Sequence, residues 1–179
     1  MAEDKKERWF TYMAITTILI AVTATLSTFK GGGYSTRSLL NQTKASDQWA
    51  FYQSKSIKGY LDDMRRENLE LQVENLEKQP GNEARVVKYK EKIETYSQNW
   101  KKHEQEKEDI KKAAAGFEAL RDECKLHSDK FGMAVIFLQI SILLSSIATL
   151  SKKKFVWICS LVLGVIGIFY FLDGFFLLI

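Results

Sequence analysis

Two apolar runs, Gly132 to Leu150 and Phe155 to Leu172, are joined by only four residues, Ser151-Lys152-Lys153-Lys154. Each approaches the ~20 residues that an α-helix needs to cross the hydrocarbon of a bilayer. Inside that layer the backbone must satisfy its own hydrogen bonds, so the pair is expected to form antiparallel membrane helices. A third run, Trp9 to Phe29, is also long enough, although rich in threonine. Between them lies a charged stretch, Thr43 to about Phe131, that keeps an apolar or aromatic residue at most helical seam positions. The pattern predicts an all-α membrane protein: three transmembrane helices with a long extracytoplasmic antiparallel helical hairpin between the first and second. The expected segments are a tail (1–8), a membrane helix (9–29), a Gly-containing surface loop (30–42) and the hairpin (43–131, turning at 79–82). A second membrane helix (132–150), the lysine loop (151–154), a third helix (155–172) and an interfacial tail (173–179) complete the chain.

Charge sets the expected orientation. Lys152, Lys153 and Lys154 occupy a very short loop, where the positive-inside bias is most informative. A cytoplasmic loop places the N-terminus inside and residues 30–131 outside. Lys5, Lys6 and Arg8 agree, diluted by Glu3, Asp4 and Glu7. The implied location is a bacterial inner membrane, with the hairpin in the periplasm. A cleaved signal peptide is the alternative reading of the first run; a retained helix is the expectation. Residues 30–130 hold 20 basic and 18 acidic side chains, so the charged region is nearly neutral despite the overall +4. That balance points away from nucleic acid and leaves membrane lipids as the first expected partner.

Within the hairpin, Val86, Tyr89, Ile93, Tyr96, Trp100, His103, Lys107, Ile110, Ala114 and Phe117 alternate by three and four residues, the spacing of helices packed side by side. The first arm shows a weaker stripe: Ala50, Gln53, Ile57, Tyr60 or Leu61, Met64, Asn68, Leu71 and Asn75. Gln79-Pro80-Gly81-Asn82 is the strongest stop signal. Pairing about it sets residues whose numbers sum to about 161 opposite one another, which puts Trp100 near Leu61 and Ala114 near Asp47. Gly31-Gly32-Gly33 is expected to end the first helix, and Asn41 or Thr43 to cap the next. A two-helix hairpin hides little surface, so Trp49, Phe51, Tyr52, Trp100 and Phe117 suggest packing between copies.

Little in the sequence carries chemistry. His103 and His127 are too far apart on one helix to share an ion, and the neighbouring acids have no metal-site spacing. There is no P-loop, dinucleotide fingerprint or HExxH motif. Ser46 and Asp47 lack a general base. No cofactor, metal or catalytic residue is expected, and the chain does not read as an enzyme. Cys124 and Cys159 lie in different segments and form no disulfide framework. In the first membrane helix, Ala14, Thr17, Ala21, Ala24 and Thr28 form a small-residue face suited to close packing; a pore lining is the alternative for Thr17 and Thr28. Asp173 would be interfacial if the last helix stops at Leu172, the expected outcome, and a functional candidate if the helix continues.

The passage Asn41 to Lys58 carries a resemblance. Lys44-Ala45-Ser46-Asp47-Gln48-Trp49, then Tyr52-Gln53-Ser54-Lys55-Ser56-Ile57-Lys58, resembles the signature of a bacterial family of small membrane proteins known only as a domain of unknown function. The order of apolar and charged segments resembles that family too. The resemblance implies no activity. It marks Asp47, Trp49, Tyr52, Gln53 and Lys58 as residues of fold or assembly. Trp49, Gln53 and Ser56 are expected on one helical face, and Tyr96, Trp100 and Phe117 join them as packing candidates. The leading functional expectation is a homo-oligomeric structural, scaffolding or interaction protein; a channel or transport component is the alternative.

Overall fold

The computed structural model describes residues 2–78 and 80–178, with side chains from Trp9 onward. Met1, Gln79, Ile179 and the side chains of the basic tail at Lys5, Lys6 and Arg8 lie outside the described residues. The chain is all α: α1 (Ala2–Glu77), α2 (Glu83–Ser151) and α3 (Lys154–Phe176). Each contains a stretch long and apolar enough to cross a membrane.

Two expected breaks are absent. The loop at 30–42 is helical, and with it the cap expected at Asn41 or Thr43 disappears, because α1 is unbroken there. Each glycine lowers helix propensity by about 1 kcal/mol, but Gly31 is buried, and a Cβ there would sit 3.0 Å from Phe131 Cβ. The glycine is a contact point for another helix rather than a stop. The second arm of the hairpin runs into the next apolar segment as one helix, α2. At the other end α3 continues to Phe176, beyond the expected stop at Leu172. The turn is where the sequence places it: α1 ends at Glu77, Gly81 has φ +92°, and Asn82 O accepts the amides of Arg85 and Val86 at 3.0 Å.

Contacts divide the chain into two compact units. The first, Met1–Leu40 with Leu120–Ile179, holds the apolar segments. Its core is Ile20, Ala24, Ala134 and Leu138, with Ile142, Tyr170 and Phe171 against it. Gly164 and Gly167 are close-packing sites: added Cβ atoms would come within 2.9 Å of Ile20 Cδ1 and 2.7 Å of Leu138 Cγ. The small-residue face of the first helix is half right. Ala24 is buried and Thr17 and Ala21 half-buried, but Ala14 and Thr28 are exposed. The packed face runs instead through Met13, Ile20, Ala24, Ser27 and Gly31. Lys154 lies over the Trp9 ring at 6.0 Å, which brings the start of α1 and the lysine loop to one end of this unit.

The second unit, Asn41–Ala119, is an antiparallel pair of helical arms. Its register matches the expected sum near 161: Lys55 meets Glu106, Arg65 meets Tyr96 and Lys44 meets Phe117. On α2 the expected stripe faces the seam, with Ile110 and Ala114 buried. On α1 the expected stripe faces the wrong way. Ala50, Gln53, Ile57, Tyr60, Leu61, Met64, Asn68, Leu71 and Asn75 are all exposed. The seam face is Ala45, Tyr52, Lys55, Gly59, Asp62, Arg66, Leu69 and Val73, all buried or half-buried. Charged groups and a glycine occupy that seam, so hydrophobic periodicity selects the opposite face. Trp100 is another correction. It meets Gly59, whose added Cβ would lie 3.7 Å from the indole Cδ1, but stays 39% exposed. Trp100→Ala is therefore expected to cost only about 1 kcal/mol, well below the 3–5 of a packed ring. Thermal melts of wild type and variant check this.

Candidate functional site

Two groups of polar side chains have built surroundings, one in each unit. In the hairpin, the spacing Lys55, Asp62 on α1 and His103, Glu106, Lys107 on α2 brings five ionisable groups onto facing turns. Lys55 Nζ lies 2.5 Å from Glu106 Oε2. His103 stands between two carboxylates, Nε2 3.6 Å from Asp62 and Nδ1 3.4 Å from Glu106. Lys107 donates to Glu104 at 2.8 Å and lies over the Tyr52 ring at 5.3 Å. Gly59 is buried between the arms, beside His103 and Trp100. Every charge here has an opposite neighbour, so the group sets register rather than exposing a reactive atom.

The hydrogen bond from the Lys55 ammonium holds the Glu106 carboxyl below its ordinary range. A depressed carboxylate contributes stability above its unfolded pKa, about 4.3, and loses it as pH falls through the folded value. Acid melting of the full chain is therefore expected to steepen below about pH 4.3, with a shallower acid limb in Glu106→Gln. Circular dichroism across pH 2–6 checks the difference.

The second group lies in the apolar unit, where α2 meets the end of α3. Asp173 is only 1% exposed. Its Oδ2 lies 2.8 Å from Lys130 Nζ, and its Oδ1 accepts the Leu178 amide at 2.6 Å. The Leu177 amide, in left-handed conformation, bonds to Asp173 O at 2.8 Å. His127 Nδ1 sits 2.8 Å from Gly174 O and donates to it as the Nδ1–H form. A helix C-terminus presents unpaired carbonyls and a partial negative charge, which an acidic residue worsens and a cation relieves. Lys130 supplies the cation, and His127 donates to one of the carbonyls. Tyr34 stacks on His127 at 4.5 Å, and Ser128 donates to Gly31 O at 3.1 Å, so α1 joins the same cluster. Phe131 fills its centre, against Tyr34, Phe171 and Phe175. The expected helix stop before Asp173 is overturned: α3 continues past it to Phe176, and Lys130 makes the burial of its carboxylate tolerable.

The remaining candidates scatter. Trp49 donates to Glu118 at 2.8 Å and stands edge-on to Tyr52. Ser56 is half-buried with Trp49, but Gln53 is exposed, so the expected shared face loses its middle member. Asp47 and Lys58 are exposed. Tyr96 lies under Arg65, and Phe117 under Lys44. Thr17 Oγ1 meets Ser145 Oγ at 2.5 Å and bonds Met13 O at 2.8 Å, while the exposed Thr28 bonds Ala24 O. Cys124 and Cys159 are free and half-buried. Among the described residues no group of His, Cys, Asp and Glu could hold a metal ion. Sequence reasoning missed Lys130 and weighed His127 only as a metal ligand, because their roles need the end of α3 to be placed beside them.

No curated protein and no solved structure matches this chain. A family model does match, over residues 9–177, and so spans both units and all three helices. The chain belongs to the family described as a domain of unknown function (DUF4337).

Proposed function

We propose that this protein is a scaffold or interaction protein of a bacterial inner membrane, structural rather than catalytic, and that it assembles with copies of itself through its hairpin. One observation carries the reading. In the hairpin Lys55, Asp62 and Arg66 of α1 face the seam, whereas Ile57, Leu61, Met64 and Leu71 face outward. Monomeric soluble surfaces rarely expose contiguous apolar patches of this kind, and such patches mark interaction sites. The mass of the full chain in mild detergent and in lipid nanodiscs tests it: several chains per particle are expected, and one chain in both media refutes assembly. A channel is the weaker reading, because the Thr17 hydroxyl is engaged by Met13 and Ser145.

The lysine loop supports the orientation with residues 30–131 outside. In a background lacking Cys124 and Cys159, Lys78→Cys is expected to react with an impermeant thiol reagent on intact spheroplasts, and Lys153→Cys only after lysis. The reverse pattern inverts the topology.

A further inference from the structure

The outward face of α1 in the hairpin has a spacing of its own. Ile57, Leu61, Met64, Asn68, Leu71 and Asn75 follow one another at four, three, four, three and four residues, and all are exposed. That is the a/d spacing of a helix made to pack along a second helix. The second arm offers nothing comparable: within the hairpin its exposed large apolar residues are Val87 and Trp100. We propose that this stripe is the docking surface for the same stripe of a second copy, parallel and in register. The inference rests on the assembly reading above and assigns it a surface, an orientation and a register.

Two features select that occupant. The first is the pair Asn68 and Asn75, which recur at the same heptad position of the stripe. An asparagine in an otherwise apolar seam favours pairing with its own equivalent across a two-stranded interface, because a shifted register leaves an amide against an aliphatic side chain. The second is anchorage. Two copies inserted the same way into one membrane present α1 in the same direction, so the pair is parallel. The four-three spacing also continues in sequence toward the N-terminus through Ser54, Ala50, Asp47, Thr43, Leu40, Thr36 and Gly33. Apart from Leu40 those residues are smaller or more polar, so the apolar contact is concentrated between Ile57 and Leu71.

Single-cysteine variants of the full chain test this in nanodiscs, after replacement of Cys124 and Cys159. Leu61→Cys, Met64→Cys and Leu71→Cys are each expected to form a disulfide with the same position of another copy under mild oxidation. Asn99→Cys, exposed on the second arm, is expected to give less than a tenth of that yield. Met64→Asp should reduce the fraction of multi-chain particles at least fivefold while leaving the far-ultraviolet spectrum unchanged. Multi-chain particles with no cross-link at 61, 64 or 71 overturn the docking surface and leave the assembly reading standing. Cross-links between positions 61 and 75 in mixed samples, without self-linkage at 64, overturn the parallel register. Capture of a different protein by Met64→Cys in native membranes, in place of a second copy, overturns the occupant. A single chain per particle overturns both this inference and the assembly reading.

Discussion

Replacing Lys130 with Met is expected to destabilise the apolar unit by about 3–5 kcal/mol, the range for removing one partner of a buried ion pair. Its ammonium is 2.8 Å from Asp173 Oδ2, and Asp173 is almost wholly enclosed at the end of α3. Without Lys130 the carboxylate adds to the negative end of the helix instead of being balanced there. Asp173→Asn alone should cost less, because an amide oxygen can still accept from the Leu178 amide, the role Oδ1 plays at 2.6 Å. The double variant Lys130→Met with Asp173→Asn is expected to recover most of the loss. Thermal unfolding of all four proteins in one detergent closes the cycle and isolates the coupling. Additive losses would show that the two side chains act separately.

Phe131→Ala is the second large effect, also about 3–5 kcal/mol, typical of an aromatic truncation in a filled core. The ring is fully buried, with Tyr34 at 5.9 Å, Phe171 at 5.9 Å and Phe175 at 5.0 Å between centroids. Two glycines make room for it. An added Cβ at Gly31 would lie 3.0 Å from Phe131 Cβ, and one at Gly174 would lie 2.9 Å from the ring. Gly174→Ala should therefore destabilise the parent by about 1–3 kcal/mol through overpacking, but cost little once Phe131 is Ala. Equal losses in both backgrounds, read by the same melts, would contradict this account of the cluster.

These residues show what hydropathy and spacing reveal. The membrane segments, the turn at Pro80-Gly81 and the α2 stripe were legible because their residues are apolar runs, a backbone break and large side chains at seam spacing. The register near 161 followed from the turn alone. The α1 seam was hidden because Lys55, Gly59, Asp62 and Arg66 occupy it. Their inward placement depends on partners such as Glu106 and His103, some forty to fifty residues later in the chain. Gly31 looked like a stop because propensity sees the lost Cβ and not the phenylalanine that fills its space. Asp173 looked like the end of a helix because a charge in an apolar run argues for termination until a counter-charge is placed beside it. For the candidate site, the contacts of Trp49 with Glu118 and of Lys130, His127 and Tyr34 around the end of α3 emerge only when the helices are set together.

The central claim is that α1 sets Lys55, Asp62 and Arg66 toward α2 and Ile57, Leu61, Met64 and Leu71 outward. Zero-length carbodiimide coupling reads this directly, since it joins ammonium and carboxylate groups already in contact. Peptide mass spectrometry of the coupled protein is expected to find Lys55 joined to Glu106 and Lys90 joined to Glu77, pairs that lie 2.5 and 2.7 Å apart. Neither link, with Lys58 joined instead to carboxylates of the second arm of the same chain, would place the opposite face of α1 in the seam and contradict the account.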